Sequence, residues 1–157
     1  HASIIKGQMT MTRIIEVIPE EMTEESFEPF GYLWNEVNKP KTHRLLEPVK
    51  FECDGQVIVS TIWQPNEGRT FCNMERHSAV TQGFVQLSGC KSAVCVAPPT
   101  NIKDGPDIPD AQSIRAFLIN PEIGFAFRRG TKCCHSDYGS RQEYRNNSFS
   151  YALNYTS

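Results

Sequence analysis

The sequence predicts an all-β protein, either a barrel or a sandwich of short strands. From Gly31 to the end of the chain, short runs of β-branched and aromatic residues alternate with turn residues, a pattern typical of such folds. At 157 residues the chain is long enough for one closed core and too short for two ordinary domains. We therefore expect a single domain over residues 11–157. Residues 1–10 are expected to be a remnant of cloning or disordered.

The N-terminal part of this domain predicts one strand and one short helix. Residues 13–18 are rich in β-branched side chains and end at Pro19, which cannot donate a hydrogen bond to a sheet. Thr23 is a suitable helix N-cap and is followed by two acidic residues, which stabilise the positive end of a helix. Phe27 and Phe30 would lie on one face of that helix.

Further strands are predicted wherever apolar, β-branched or aromatic runs are bounded by turn residues. These runs are residues 32–37, 56–63, 69–77, 82–87, 92–97, 113–119, 125–127 and 149–153. Asp54-Gly55 and Asn120-Pro121 predict turns, and residues 98–109 predict a long surface loop. Residues 136–148 are polar and lack apolar periodicity, so we expect a flexible loop there.

Charge and apolar content exclude two classes of partner. The formal net charge is -2, and the largest basic cluster is the pair Arg128-Arg129, so the basic patch of a nucleic-acid binder is missing. No apolar run approaches the roughly 20 residues that span a bilayer, and the start of the chain lacks a signal-peptide pattern. We expect a cytoplasmic protein with no nucleic-acid partner and no membrane partner.

The 6 cysteines show no paired spacing, which favours thiols over a disulfide framework. Cys133 and Cys134 are adjacent, and a disulfide between neighbouring residues would strain the peptide. They precede His135 in what the sequence predicts as a loop beside the functional site. A metal or redox role for this pair is the alternative to an inert one.

The segment with the most chemical information begins with Glu75-Arg76-His77 and continues to Gln82 and Gly89. On a strand, Glu75 and His77 point to the same face. After a bend, Gln82 begins a second run that ends at Gly89, where the missing Cβ permits a turn. We therefore expect a hairpin whose metal ligands are Glu75, His77 and Gln82. Its spacing, E-x-H-x4-Q-x6-G, resembles the first signature of the cupin superfamily, H-x-H-x3,4-E-x6-G.

Longer segments resemble the ureidoglycolate lyase family, formerly called ureidoglycolate hydrolase. The resemblance covers residues 13–131, and its most specific parts are E-R-H-x4-Q from Glu75 and R-A-F-L-I-N from Arg115. It implies a cupin-type antiparallel β-barrel, jelly-roll-like and commonly a homodimer. The implied activity releases urea and glyoxylate from ureidoglycolate in the allantoin branch of purine breakdown. The implied cofactor is a divalent metal such as nickel, zinc or manganese.

The resemblance also implies roles for individual residues. Elimination from ureidoglycolate needs an acid and a base beside the central carbon, and His77 or Glu75 would move that proton. A divalent ion on the substrate hydroxyl would lower its pKa. Arg115 is the first candidate to bind the substrate carboxylate and Arg76 the second, with Gln82 as a further substrate contact. The alternatives are a merely solvated strand face at residues 75–77 and a structural Arg115 that pairs with Glu122.

One segment departs from the family pattern. The family usually has G-T-W-H-H or G-T-W-H where this chain has G-T-K-C-C-H, residues 130–135. Because the distance from Gly124 to His135 still matches the second cupin signature, G-x5-P-x-G-x2-H, His135 is the predicted fourth metal ligand; an exposed loop histidine is the alternative. The departure motivates a second hypothesis, a catalytically impaired cupin-like protein that binds a small carboxylate. A third is another metal cupin enzyme, an isomerase or dioxygenase, which would need a three-histidine and glutamate set.

Overall fold

The structure, a computed structural model, describes residues 10–34, 51–63, 68, 70–71, 73–101, 107–137 and 149–156; for residues 10–13, 135–137 and 149–156 it describes only the backbone. Regular structure in this part is almost entirely β-strand. The predicted all-β, cupin-like fold with one short N-terminal helix is therefore confirmed. No helix within the described ranges is long and apolar enough to cross a membrane.

The described part of the chain contains eleven strands and two short helical segments. The strands are β1 (Thr10–Val17), β2 (Pro19–Glu21), β3 (Gly31–Trp34), β4 (Thr70–Phe71), β5 (Glu75–Arg76), β6 (Gln82–Phe84), β7 (Ser92–Ala97), β8 (Arg115–Ile119), β9 (Gly124–Phe127), β10 (Lys132–Asp137) and β11 (Phe149–Thr156). The helix α1 spans Glu24–Phe27, and a 3₁₀ turn spans Ala111–Ser113. Most of the strand pairs are antiparallel, and the parallel ones are β2 with β8 and β4 with β11.

The larger sheet has the strand order β2-β8-β7-β10-β5. Its central strand β7 is buried from Ala93 to Ala97, because a strand covered on both faces carries a continuous apolar run rather than an alternating one. Val94 and Val96 contribute to the main core, whereas the small side chains of Ala93 and Cys95 pack in a second cluster on the other face. This strand therefore separates two apolar layers.

The second sheet, β3-β9-β6, packs over the main core. Helix α1 begins at Thr23, whose Oγ1 accepts a hydrogen bond of 3.1 Å from the Ser26 amide, and it inserts Phe27 between the sheets. Phe27 contacts Phe117 of the larger sheet and Phe125 of the smaller one, with ring centroids 5.5 and 5.9 Å apart. The predicted N-cap and short helix are both confirmed. The helix contacts both sheets through the ring of Phe27.

A third sheet, β1-β11-β4, joins the two ends of the described chain. Strand β1 pairs antiparallel with β11 along its whole length, from Thr10 opposite Thr156 to Val17 opposite Phe149. The predicted first and last strands are thus confirmed, although β1 begins at Thr10 rather than at residue 13. Of the segment that we expected to lie outside the fold, Thr10 belongs to β1 and residues 1–9 lie outside the described residues.

Several predicted strands have different limits in the structure. Residues 56–63 form no strand, and their large apolar side chains, such as Val59 and Trp63, are exposed. Their β-branched composition is not enough, because a strand also needs a neighbour that completes its hydrogen bonds.

Conversely, Pro19 begins β2, which the sequence did not predict; the proline is tolerated because β2 lies at a sheet edge and Pro19 is its first residue. Residues 35–37, 69 and 72 lie outside the described part of the chain.

Residues 133–135, which we expected to lie in a loop, form part of strand β10. It pairs with β7, from Lys132 opposite Ala97 to Asp137 opposite Ser92, and on its other edge with β5. The polar and sulfur-bearing side chains did not indicate a strand. The segment is a strand because its backbone pairs with both β7 and β5. Residues 136–137 of the predicted flexible loop belong to β10 as well, and residues 138–148 lie outside the described residues.

Candidate functional site

Strand β5 brings Glu75 and His77 together, as their spacing predicts. Nε2 of His77 lies 3.8 Å from Oε1 of Glu75, and we call these two residues the acid-imidazole pair. The backbone fixes both positions, since Glu75 lies opposite Cys133 of β10 and the His77 carbonyl accepts a 2.8 Å hydrogen bond from the Gly130 amide. The side chain of Glu75 is largely exposed and that of His77 half-buried, so the pair lies near the surface although Nε2 of His77 is itself buried.

Gln82 lies on β6, opposite Phe127 of β9. Residues directly opposite in an antiparallel pair share a face, so Gln82 points with Phe127 into the space between the two sheets. Oε1 of Gln82 and Nε2 of His77 are both buried and make no hydrogen bond with any described group. A buried polar atom without a partner is uncommon in a folded protein and calls for an explanation. A bound ligand would provide one for both atoms.

The prediction of a hairpin across residues 75–89 is wrong. Strand β5 belongs to the larger sheet and β6 to the smaller one, and the bend between them is held by residues 52–54 through hydrogen bonds such as Thr81 N to Glu52 O at 2.8 Å. The chain thus crosses from one sheet to the other.

The three predicted ligands nevertheless have a common neighbour, the connection from β9 to β10. Gln82 lies opposite Phe127, His77 is bonded to Gly130, and Glu75 lies opposite Cys133. The arrangement places them at one end of the space between the sheets.

The thiol of Cys133 lies buried at this end, next to the acid-imidazole pair. Burial, followed by the negative charge of Glu75 and the neighbouring Cys134, raises the pKa of Cys133 to about 12. The thiol is therefore protonated at neutral pH and is not a reactive nucleophile. Cys53, Cys90, Cys95, Cys133 and Cys134 all carry thiols rather than disulfides, as predicted; Cys72 lies outside the described residues.

The described residues provide only part of a metal-binding set. Among them, no group of three or more His, Cys, Asp or Glu side chains is arranged to hold an ion. Glu75 and His77 offer one oxygen and one nitrogen, and Gln82 offers an amide oxygen. The fourth predicted ligand, His135, lies on β10 opposite Val94, not in a loop, and only its backbone is described. The residues that would hold a nickel, zinc or manganese ion are therefore Glu75, His77 and Gln82, with His135 as the fourth predicted ligand.

Arg115 lies far from the acid-imidazole pair. Its Nε and Nη2 donate to the two carboxylate oxygens of Glu20 at 2.7 and 2.6 Å, and its Nη1 donates to the Ser26 carbonyl at 2.9 Å. Its guanidinium also stacks on Phe117, 5.0 Å from the ring centroid. In the sheet, β10 and β7 separate β8 from β5, which corresponds to roughly 14 Å between Arg115 and Glu75 at the usual strand spacing. The salt-bridge partner of Arg115 is Glu20 rather than Glu122.

We expect Arg115→Ala and Glu20→Gln to destabilise the protein by similar amounts. Each leaves the other member of a half-exposed charged pair without its partner, so the free energy of unfolding should fall by about 1–2 kcal/mol in both variants. Urea denaturation measures this loss, and calorimetric titration with ureidoglycolate, the ligand that the family resemblance implies, measures binding. Weaker binding that occurs only in Arg115→Ala would support the predicted role of Arg115 in carboxylate binding.

Arg76 points to the opposite face of β5 from its two neighbours. It lies opposite Lys132, and its Nε is 2.7 Å from Oδ2 of Asp107. Oδ1 of Asp107 is 2.7 Å from Nζ of Lys132 and accepts a 2.6 Å hydrogen bond from Oγ1 of Thr100. Hydrogen bonds from Lys132 and Thr100, with the charges of Lys132 and Arg76, lower the pKa of Asp107. No motif indicated this cluster in advance, apart from the unexpected lysine in G-T-K-C-C-H.

A surface cleft of ≈ 290 Å³ lies beside this cluster. Its lining residues are Arg76, Ser78, Pro99, Thr100, Asn101, Arg129 and Gly130. Arg129 forms ion pairs with Glu52 and Asp54 at 3.1 and 2.9 Å. The larger sheet therefore has two polar regions near its β5 edge: the acid-imidazole pair on the core face, and the cleft with its charged cluster on the other.

The fold and the acid-imidazole pair together define a cupin-like domain with polar side chains at one end of its inter-sheet space. A sequence model of the family described as ureidoglycolate lyase matches residues 14–135. The chain belongs to the ureidoglycolate lyase family, as its motifs predict. The match continues through residues 132–135.

Three bacterial relatives, each named ureidoglycolate lyase, are similar to most of the chain. The Pseudomonas syringae pv. syringae protein is 28% identical over 128 residues, which cover 73% of this chain and 71% of the relative. The Pseudomonas savastanoi pv. phaseolicola protein is 29% identical over 128 residues, with the same coverage of 73% and 71%. The Pseudomonas fluorescens protein is 28% identical over 123 residues, which cover 71% of this chain and 70% of the relative.

Proposed function

We propose that this protein is a ureidoglycolate lyase that releases urea and glyoxylate. Its family membership and the names of its relatives support this class of reaction. The observation that carries the proposal is the acid-imidazole pair: a buried imidazole nitrogen without a hydrogen-bond partner lies 3.8 Å from a carboxylate oxygen. Such a nitrogen is suited to exchange a proton with a bound ligand.

The reaction requires two proton transfers. The central carbon of ureidoglycolate carries a hydroxyl group and a ureido nitrogen. When the bond between that carbon and that nitrogen breaks, the hydroxyl oxygen loses its proton and becomes the aldehyde oxygen of glyoxylate. The nitrogen leaves with one additional proton as urea, so no water is consumed. A base must therefore face the hydroxyl group, and an acid must face the nitrogen.

In this proposal His77 performs both transfers. Nε2 accepts the hydroxyl proton and returns it to the leaving nitrogen, while Glu75 stabilises the imidazolium that exists between the two steps. Their separation of 3.8 Å exceeds hydrogen-bond length, so Nε2 remains free to face the substrate while Glu75 stabilises the imidazolium through its charge. Oε1 of Gln82, buried and without a partner, would accept an N–H of the ureido group. The departing urea would keep this hydrogen bond.

The group that binds the substrate carboxylate stays a prediction. Arg115 and Arg76 were the two candidates, but Arg115 is engaged by Glu20 and Ser26, and Arg76 points to the other face of β5. The divalent ion, the homodimer and the place in allantoin catabolism accompany the proposal as expectations of the family resemblance. Elemental analysis and light scattering of the purified protein test the first two.

The decisive assay incubates purified protein with racemic ureidoglycolate and follows urea and glyoxylate. We expect equal amounts of the two products, formed faster than in an enzyme-free blank. Parallel reactions with a chelator and with added nickel or manganese determine whether an ion is required. Binding of ureidoglycolate without product in every reaction would contradict the proposal and favour the catalytically impaired, carboxylate-binding protein instead.

A further inference from the structure

The carboxylate of Asp107 is held by three donors from other parts of the chain. Nε of Arg76 lies 2.7 Å from Oδ2, while Nζ of Lys132 at 2.7 Å and Oγ1 of Thr100 at 2.6 Å contact Oδ1. Thr100 also accepts a hydrogen bond from Lys132 at 2.5 Å, so the donors position one another. We call Arg76, Thr100 and Lys132 the carboxylate clamp. Cationic donors on both oxygens are what a free carboxylate requires for tight binding.

Lys132 is an unusual member of this cluster because its side chain is only 3% exposed. A lysine is almost never buried this completely unless its charge is paired. It lies on β10, between β7 and β5, so its Cα cannot move outward without breaking two ladders. The buried ammonium therefore needs a negatively charged partner at this fixed position.

Asp107 lies on a surface loop, whereas Arg76 and Lys132 of the clamp lie on strands of the sheet. Its side chain is 34% exposed, and no strand or helix includes it. The donors, by contrast, are fixed: Arg76 and Lys132 are opposite each other on neighbouring strands. The adjoining cleft of ≈ 290 Å³ is lined by Arg76 and Thr100 as well. A small molecule in this cleft would thus reach two of the donors that bind Asp107.

We propose that Arg76, Thr100 and Lys132 form a binding site for small carboxylates, which Asp107 occupies in the ligand-free protein and vacates when a ligand binds. When Asp107 vacates the clamp, the charges of Arg76 and Lys132 lose their shared carboxylate, which favours a free carboxylate over an empty clamp. The ligand class is a compact monocarboxylate of the size of acetate or glyoxylate. This site lies on the opposite face of β5 from the acid-imidazole pair and does not depend on lyase activity.

The test removes the internal carboxylate and supplies a free one. Asp107→Ala leaves the charge of Lys132 uncompensated, so its thermal stability should be lower than that of the wild type. Sodium acetate, compared with sodium chloride at equal ionic strength, should restore much of the loss. The variant should also bind acetate at least about tenfold more tightly than the wild type, in which the tethered Asp107 competes at a high effective concentration. Calorimetric titration with acetate measures the affinity.

Two control variants make the result specific. Asp54→Ala removes an aspartate that pairs with Arg129 near the same cleft but leaves the clamp intact, so acetate should not stabilise it more than chloride does. The double variant Asp107→Ala with Lys132→Met lacks the buried charge and should lose the acetate effect. If Asp107→Ala does not fold, Asp107→Asn, which keeps the volume, takes its place. Equal melting temperatures in acetate and chloride, or an acetate effect that survives Lys132→Met, would overturn the proposal.

Discussion

Replacing His77 by glutamine should lower kcat for urea release from ureidoglycolate by about 10²–10⁴-fold, the usual contribution of a positioned acid-base group. Glutamine retains much of the volume and hydrogen-bonding capacity of histidine but cannot carry a proton between two substrate atoms. KM should change little, because the loss affects the transition state more than the bound substrate. Because the His77 side chain is half-exposed, the fold should tolerate the change. Steady-state assays of urea and glyoxylate formation measure the result.

The matched controls for this prediction are two glutamate variants. Glu75→Gln should lower kcat as well, because the imidazolium loses the carboxylate that lies 3.8 Å away. Glu122→Gln removes an equal charge at an exposed position on a turn and should leave kcat unchanged. Melting curves establish that all three variants are folded. A His77→Gln variant with wild-type kcat would exclude His77 as the acid-base residue and require another group for the proton transfers.

Local patterns predicted the parts of the fold that depend on local interactions. The predicted strand at residues 92–97 coincides with β7, and the N-cap at Thr23 begins the helix. The two-residue spacing of Glu75 and His77 correctly placed their side chains on one face, because alternation along a strand needs no knowledge of its neighbours. The assignment to the ureidoglycolate lyase family also depended on short runs of sequence and was confirmed.

Pairing between distant segments was less predictable. The bend after His77 looked like a hairpin because β6 follows β5 closely, yet the two strands belong to different sheets. Strand β10 has a polar composition and is a strand because β7 and β5 flank it. Residues 56–63 show the opposite case, since β-branched side chains without a flanking strand form no strand. In each case the neighbouring strand determines whether and where the segment pairs. That neighbour cannot be identified from a short stretch of sequence.

The ion pairs near the functional site could not be predicted from local sequence patterns either. Arg115 and Glu20 are 95 residues apart in sequence, and the salt bridge follows from the parallel pairing of β2 with β8. The carboxylate clamp likewise joins β5, β10 and the loop that follows β7. The sequence identified Arg115 and Arg76 as candidate anion-binding residues from their types and positions. It could not show that each is already bonded to a carboxylate of the same chain.

The triplet Glu75-Arg76-His77 illustrates how one strand can contribute to two sites. Because alternate side chains point to opposite faces, Glu75 and His77 are directed toward the inter-sheet space while Arg76 joins Lys132 and Asp107 on the other face. A substitution at Arg76 is therefore expected to affect the clamp directly and the acid-imidazole pair only through the strand. Separate measurements of acetate binding and urea release distinguish the two regions.

The largest loss of stability is expected for Phe27→Ala. Phe27 is 0% exposed, and its ring is within 6.1 Å, between centroids, of the rings of Phe30, Phe117, Phe125 and Phe127. These rings belong to both sheets, so removing Phe27 leaves a cavity where the sheets meet. A buried Phe→Ala change typically costs about 3–5 kcal/mol, a large part of the 5–15 kcal/mol that is usual for a whole domain.

Phe51→Ala is the matched control for this prediction, because it deletes the same atoms at a residue that is 43% exposed. Its effect on the free energy of unfolding should be within about 0.5 kcal/mol. Urea denaturation monitored by circular dichroism measures both variants, and if Phe27→Ala is unfolded in water, Phe27→Leu provides a smaller change at the same site. Equal losses at Phe27 and Phe51 would show that α1 does not hold the two sheets together. A loss confined to Phe27 would identify its ring as the contact through which the helix stabilises the inter-sheet space beside the acid-imidazole pair.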